Sequence, residues 1–285
     1  MDIILERELD FPSIFKDESK ISIDYIPEKL LHREMEFSRL SHFFNTLFQK
    51  PYKISQKILI TGRNGIGKTA VTKRFGEFIK KSAQKKKLKL EYIHINCRIE
   101  KSAYQILIQI IRKLKFKISQ RGFSFNELLK FLISEIENKK IILILTLDEI
   151  DSLHKKDFKL LYYLLKINDD KINPKQHISI ISIARDSKFI QNFDSDLKSI
   201  FLPHKIRFHS YTKEQIFNIL KARVDEAFYK ELISDEIIMN IAKISTAKKD
   251  IRFALDLFRK VGKIADIKRS LKIYPEYIKQ ALYLS

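Results

Sequence analysis

Residues 57–71 read KILITGRNGIGKTAV, and this stretch decides the fold. Lys57–Thr61 are mostly apolar and β-prone, and they run straight into a glycine loop. Gly62, Gly65 and Gly67 are half of the six glycines in the 285-residue chain. With Lys68 and Thr69 they frame the pattern G-x-x-x-x-G-K-T. Residues 69–81, TAVTKRFGEFIKK, read as a helix. Strand, glycine-rich loop and helix are the context in which this pattern cradles phosphate. Backbone N–H groups of Gly65, Ile66, Gly67, Lys68, Thr69 and Ala70 would wrap the β-phosphate, aided by the helix N-terminus. The Lys68 ammonium would reach the β- and γ-phosphates.

Strands and helices alternate outward from the loop. EYIHIN (91–96), IILILTL (141–147), HISIISIA (177–184) and HKIRFH (204–209) read as strands. The run 141–147 is continuously apolar, as a central parallel strand is. Ser102 caps an expected helix from Ala103 to about Phe116, and residues 123–137 and 155–168 read as further helices. A lysine-rich connector, QKKKLK, occupies 84–89. The alternation predicts an α/β fold with a parallel sheet. After Tyr211 every pattern is helical, with Thr212, Gln215 and Ser234 marking helix starts. The expected organisation is an α/β nucleotide-binding domain over 1–210 and a small helical domain over 211–285.

The chain carries 55 Lys and Arg against 35 Asp and Glu, a net charge of +20. Residues 50–130 hold 21 of the basic residues and only four acids, Glu77, Glu91, Glu100 and Glu127, so this window carries +17 of the total. Such a balance points to a polyanion, nucleic acid first, over a merely solvated lysine surface. No basic amphipathic helix with an aromatic face stands out to favour a membrane surface. No apolar run approaches the ~20 residues of a membrane span. The acidic start lacks a secretory pattern, and a cytoplasmic, nucleoid-associated protein is expected. Cys97 is the only cysteine and reads as a small buried side chain, since one thiol forms no intrachain disulfide.

The glycine loop has a partner. IILILTLDEID ends its strand in Asp148 and Glu149. This is the Walker B arrangement. Thr69 and Asp148 would hold Mg²⁺ beside bound ATP or ADP, and Glu149 would polarise the attacking water.

Together these motifs resemble an AAA+ P-loop ATPase: a five-stranded αβα sandwich followed by a helical lid. DYIPEKLLHREMEFSRL (24–40), INCR (95–98), LDEIDSLHKKD (147–157), IRFHSYTKEQIFNILKARVDEAF (206–228) and KKDIRFALDLFRKVGKIAD (248–266) narrow the resemblance. They are similar to the archaeal replication initiators that combine origin recognition complex subunit one and cell division control protein six. The resemblance runs from about residue 20 to 284. It implies that Tyr25, Ile26, Pro27, His32 and Arg33 lie by the adenine, and that Tyr211 and Arg223 contact nucleotide. As residues alone, His32 and Arg33 read as an exposed helix start. The resemblance also makes Arg252 the sensor 2 arginine that touches the γ-phosphate. It further implies DNA contact from Arg98, Lys101, Arg112, Lys113, Lys115, Lys117 and Arg121. A replicative helicase or a full-length initiator are the further partners implied.

Three departures stand out. The chain stops at Ser285, about where the family's lid ends, so the winged helix that reads DNA sequence in typical members is expected to be missing. Arg185 stands where the family carries a sensor 1 asparagine; arginine has donors only, so it accepts nothing from the attacking water. Asp196 aligns with the segment that presents an arginine to a neighbouring site, with Lys198 two residues on. Slow hydrolysis is therefore expected, together with duplex DNA binding. The alternative is a nucleotide-held binding module without turnover: a regulator of a full-length initiator, or a plasmid, virus or transposition helper.

Overall fold

The computed structural model describes residues 12–118, 122–166, 176–192, 195, 198–199, 204–229 and 232–283. The contacts divide them into an α/β unit and a helical unit.

The α/β unit contains α1 (Glu34–Gln49), β1 (Lys57–Thr61), α2 (Lys68–Lys85), β2 (Leu90–Asn96), α3 (Ala103–Lys113), α4 (Phe125–Asn138), β3 (Ile142–Asp148), α5 (Lys159–Lys166), β4 (Ile178–Ala184) and β5 (Lys205–Arg207). Its sheet has five parallel strands in the order β2-β3-β4-β1-β5. Every residue of β3 and of β4 is buried. That explains their unbroken apolar sequences, because helices cover both faces of a parallel sheet. Ile144, Leu145 and Ile181 are fully shielded from solvent. Because all strands run the same way, the turns that follow β1, β2 and β3 share one edge of the sheet. Those turns hold the glycine loop, Cys97–Arg98 and Glu149.

The opposite edge, where strands begin, is lined with lysine. Helices α2, α3 and α4 return to it, and each closes in the same way. Lys87, Lys115 and Lys140 take left-handed backbone, with φ of 56°, 56° and 51°. The following N–H in each case reaches back to the last helical turn: Leu88 to the Ala83 carbonyl, Phe116 to Ile111 and Ile141 to Ile136. This is the Schellman closure, whose left-handed residue is usually glycine. A lysine there gains from the negative end of the helix dipole. The closure ends α3 at Lys113, short of the expected Phe116. It also lets α2 run to Lys85, into the segment read as a connector.

The helical unit comprises α6 (Lys213–Ala227), α7 (Asp235–Lys248), α8 (Ile251–Ile267) and α9 (Pro275–Tyr283), with residues 12–32 and the loop residues Asn64–Gly67. Thr212 and Gln215 form the expected capping box, and Ser234 caps α7. The grouping of residues 12–32 differs from the expected 1–210 domain. Their apolar side chains have no place on the sheet and pack on these helices instead. Phe15 stacks on Phe228 at 4.6 Å, and its ring lies where a side chain on Gly262 would project. Lys16 and Asp17 N–H donate to the Ala227 carbonyl, and Ile14 N–H to the Asp266 carboxylate at 2.7 Å. Among the described residues no helix is long and apolar enough to cross a membrane.

Candidate nucleotide-binding site

The glycine loop turns because Gly65 and Gly67 adopt φ of 69° and 90°, which side chains disfavour. Helix α2 starts directly at Lys68, so its free N–H groups face whatever the loop encloses. The Lys68 ammonium is buried and donates to the carbonyls of Gly62 and Arg63 at 2.5 and 2.6 Å. It therefore spans the loop mouth, where an anionic oxygen would take over its protons.

Thr69 lies one residue on, and its hydroxyl donates to Asp148 Oδ2 at 2.6 Å. The contact joins residues 79 apart in sequence. Asp148 is 3% exposed. Burial pushes its pKa up, but the His94 and Thr69 hydrogen bonds, the His94 charge and the Glu149 N–H outweigh this. They hold the carboxyl below its ordinary value. An ionised carboxylate beside a hydroxyl at a phosphate loop is the hard-oxygen pair that Mg²⁺ takes, so the residues fit that ion. Glu149 follows in left-handed backbone, φ 53°, with its N–H donating to Asp148 Oδ1 at 2.9 Å. That conformation is costly for glutamate, and it sits next to the proposed cation ligand. The Glu149 carboxylate stays part-exposed, 4.0 Å from Arg98.

His94 is the residue at this site that sequence reasoning missed. Its Nε2 lies 3.2 Å from Asp148 Oδ2. A histidine two residues before the end of the strand beside β3 was the available signal, since same-face positions alternate. Cys97 is buried, as expected, with its thiol pushed up to about 12 by burial and by the charges of Asp148, Asp151 and Glu149.

The remaining expected site residues are more scattered. Arg185 follows β4; it is exposed, its carbonyl accepts from Gly62 N–H at 3.2 Å and its N–H donates to Asp151. Arg33 is no exposed helix start: it is 4% exposed, pairs with Glu36 at 3.1 Å and lies over the Phe208 ring. In the helical unit, His32 meets Asn218 at 3.3 Å. Tyr25, Ile26, Pro27 and Tyr211 are half-buried. Buried Arg223 donates to the carbonyls of Tyr25 and Ser22 and stacks over the Tyr25 ring, and its Nη1 has no hydrogen-bond partner among the described residues. Arg252 is held in a two-point ion pair by Asp250.

The expected DNA contacts do not form one patch. Arg98 and Lys101 lie at the glycine-loop edge of the sheet. Lys115 and Lys117 lie beyond the far end of α3, about 16 Å along its axis. There Lys139 packs over the Phe116 ring at 4.3 Å, joining α3 to α4. The Tyr52 hydroxyl donates to the Lys140 carbonyl at 2.9 Å, and Ile142 N–H to the Lys89 carbonyl at 2.8 Å. Lys50, Lys53, Lys85, Lys86, Lys87, Lys89, Lys115, Lys117, Lys139 and Lys140 are all exposed along this edge. Arg121 and Asp196 lie outside the described residues.

Two family models match the chain: a Cdc6 AAA+ ATPase-type lid domain over residues 217–282 and an AAA domain over residues 55–188. A protein of Sulfurisphaera tokodaii named ORC1-type DNA replication protein 2 is 31% identical over 285 residues, spanning 98% of this chain and 68% of that protein. The crystal structure of Cdc6p from Pyrobaculum aerophilum superposes with a TM-score of 0.87 at 25% identity, covering 95% of this chain and 72% of that one. The Aeropyrum pernix ORC1 protein, solved in complex with DNA, superposes with a TM-score of 0.85 at 27% identity, covering 95% and 70%.

Proposed function

The chain belongs to the ORC1-type and Cdc6 family of AAA+ DNA replication proteins, and from that premise we propose an ATP-hydrolysing, duplex-binding module. It binds ATP at the glycine loop, hydrolyses it slowly and meets DNA phosphates along its lysine-lined edge. The observation that carries the nucleotide part is the 2.6 Å contact of Thr69 with an ionised, buried Asp148 at the mouth of the loop.

Lys68 and the N–H groups at the start of α2 bind and orient the phosphates. Thr69 and Asp148 hold Mg²⁺, which when bound neutralises phosphate charge. Glu149 is part-exposed and directly follows Asp148, so it can accept a proton from water approaching the γ-phosphate. Arg185 supplies positive charge near the loop but no acceptor for that water, which supports a low rate. The DNA part rests on the exposed lysines of the far edge and on the ORC1 protein solved with DNA.

Turnover separates this reading from a purely structural nucleotide. Glu149→Gln should bind ATP as tightly as the wild type and lose about 100-fold in hydrolysis rate, the usual worth of a general base. An unchanged rate would remove Glu149 from the mechanism. Wild-type protein that retains nucleotide without ever forming product would establish the nucleotide-held module instead.

A further inference from the structure

We propose that His94 is a positioning residue for the Asp148 carboxylate, and that Tyr92, seated against Gly76, sets its orientation. The proposal rests on the reading of Thr69 and Asp148 as a Mg²⁺ site.

The register of β2 against β3 places His94 opposite Thr146 and Asn96 opposite Asp148. Tyr92, His94, Thr146 and Asp148 thus share one face of the sheet, the face that α2 covers. The His94 ring leans along its strand to reach Asp148 Oδ2 at 3.2 Å, with its Nδ1 3.4 Å from the Tyr92 hydroxyl.

Donor accounting fixes which nitrogen carries the proton. A phenol has one proton to give. Tyr92 donates it to the Thr72 carbonyl at 2.7 Å and accepts from the Thr146 hydroxyl at 2.9 Å. It therefore has nothing to donate to Nδ1. The Asp148 carboxylate only accepts, so the 3.2 Å contact is a hydrogen bond with Nε2 carrying the hydrogen that faces Asp148. His94 is a donor to the carboxylate in either charge state. With the Thr69 hydroxyl on the same oxygen and the Glu149 N–H on the other, Asp148 is held from three sides.

Tyr92 is itself held in place. Gly76 lies inside α2, where glycine is a poorer helix former than every other residue but proline. A Cβ at Gly76 would lie 2.2 Å from two Tyr92 ring carbons. The missing side chain is what admits the ring against the helix. Gly76, Tyr92, His94 and Asp148 thus form a chain of fixed contacts from the helix after the glycine loop to the cation ligand. Groups that orient a metal ligand from behind change affinity by about 10–100-fold when removed.

The test is a titration of the full chain with MgCl₂ at fixed fluorescent ATP, following nucleotide binding rather than turnover, beside ATP binding in EDTA. His94→Leu should raise the Mg²⁺ half-saturation point about tenfold. Its EDTA affinity should match the wild type, since Lys68 and the loop are untouched. His94→Gln, which keeps an N–H, should return the midpoint toward wild type, which a merely structural role for the ring would not do. A Mg²⁺ curve for His94→Leu that overlays the wild type would overturn the proposal. If His94→Leu binds no nucleotide in EDTA, Tyr92→Phe carries the test: its midpoint should rise too, and a curve overlaying the wild type would again overturn the proposal. Wild-type nucleotide binding that ignores Mg²⁺ would instead bring down the Mg²⁺ reading itself, and this proposal with it.

Discussion

Asp148 and Cys97 are neighbours with opposite fates. Both are buried, so desolvation raises both pKa values. Asp148 recovers its charge through three donors, and its identity was legible because the run LDEID follows a strand of the right kind. Burial raises the Cys97 thiol to about 12, the carboxylates of Asp148, Asp151 and Glu149 add to the rise, and no donor among the described residues offsets it. The sign follows: its folded value lies above the ordinary thiol value of 9.0, so its contribution to stability is intact below pH 9.0 and is lost as pH rises from there toward 12. Native protein at pH 8 should therefore leave Cys97 unmodified by a thiol reagent, with labelling appearing only on unfolding. Resistance to denaturant should fall between pH 8 and pH 10. Rapid labelling of the native chain would contradict this. Arg33 was illegible at this scale, because nothing in the local sequence shows that Phe208 and Glu36 would bury it. The same holds for His94, whose partner lies 54 residues away.

The strands and helices were legible from their periods, and their ends less so. The structure reproduces the strand KILIT, the Thr212–Gln215 capping box and the side-chain caps at Ser102 and Ser234. The end of α3 is misplaced by three residues because its left-handed closing residue is Lys115, where a glycine would have marked the stop. Lys87 and Lys140 close α2 and α4 in the same way. Left-handed backbone costs a side-chain residue about 1–2 kcal/mol, and glycine in its place loses about 0.5–1 kcal/mol in entropy. Lys115→Gly should thus stabilise the chain by about 0.5–1 kcal/mol in urea unfolding, since the strain it removes exceeds that entropy. Destabilisation would show that the lysine charge at the helix end outweighs its strain. Lys249 and Arg269 also take left-handed backbone, after α7 and α8 of the helical unit, so basic residues at strained helix ends are not confined to the lysine-lined edge.

At the scale of the molecule, the glycine loop, LDEID and the helical patterns after Tyr211 were enough to expect both units, and the stretches 24–40, 95–98, 147–157, 206–228 and 248–266 narrowed the resemblance to the family. Charge alone pointed to nucleic acid but not to a surface, because spacing along a chain does not say which lysines end on one edge of a sheet. The topology does: strands that run in parallel bring the ends of α2, α3 and α4 together, away from the glycine loop. The claim that this edge meets DNA phosphates is the central one. Its most direct test is duplex DNA affinity of the full chain, with ATP and Mg²⁺, over a range of salt. The comparison is wild type against a variant carrying Lys53→Ala, Lys85→Ala, Lys89→Ala and Lys117→Ala. Each lysine that contacts a phosphate should take about 1 from the slope of log affinity against log salt, and the variant should bind more weakly at low salt with ATP binding unchanged. A variant whose salt slope and affinity equal those of the wild type would contradict the account.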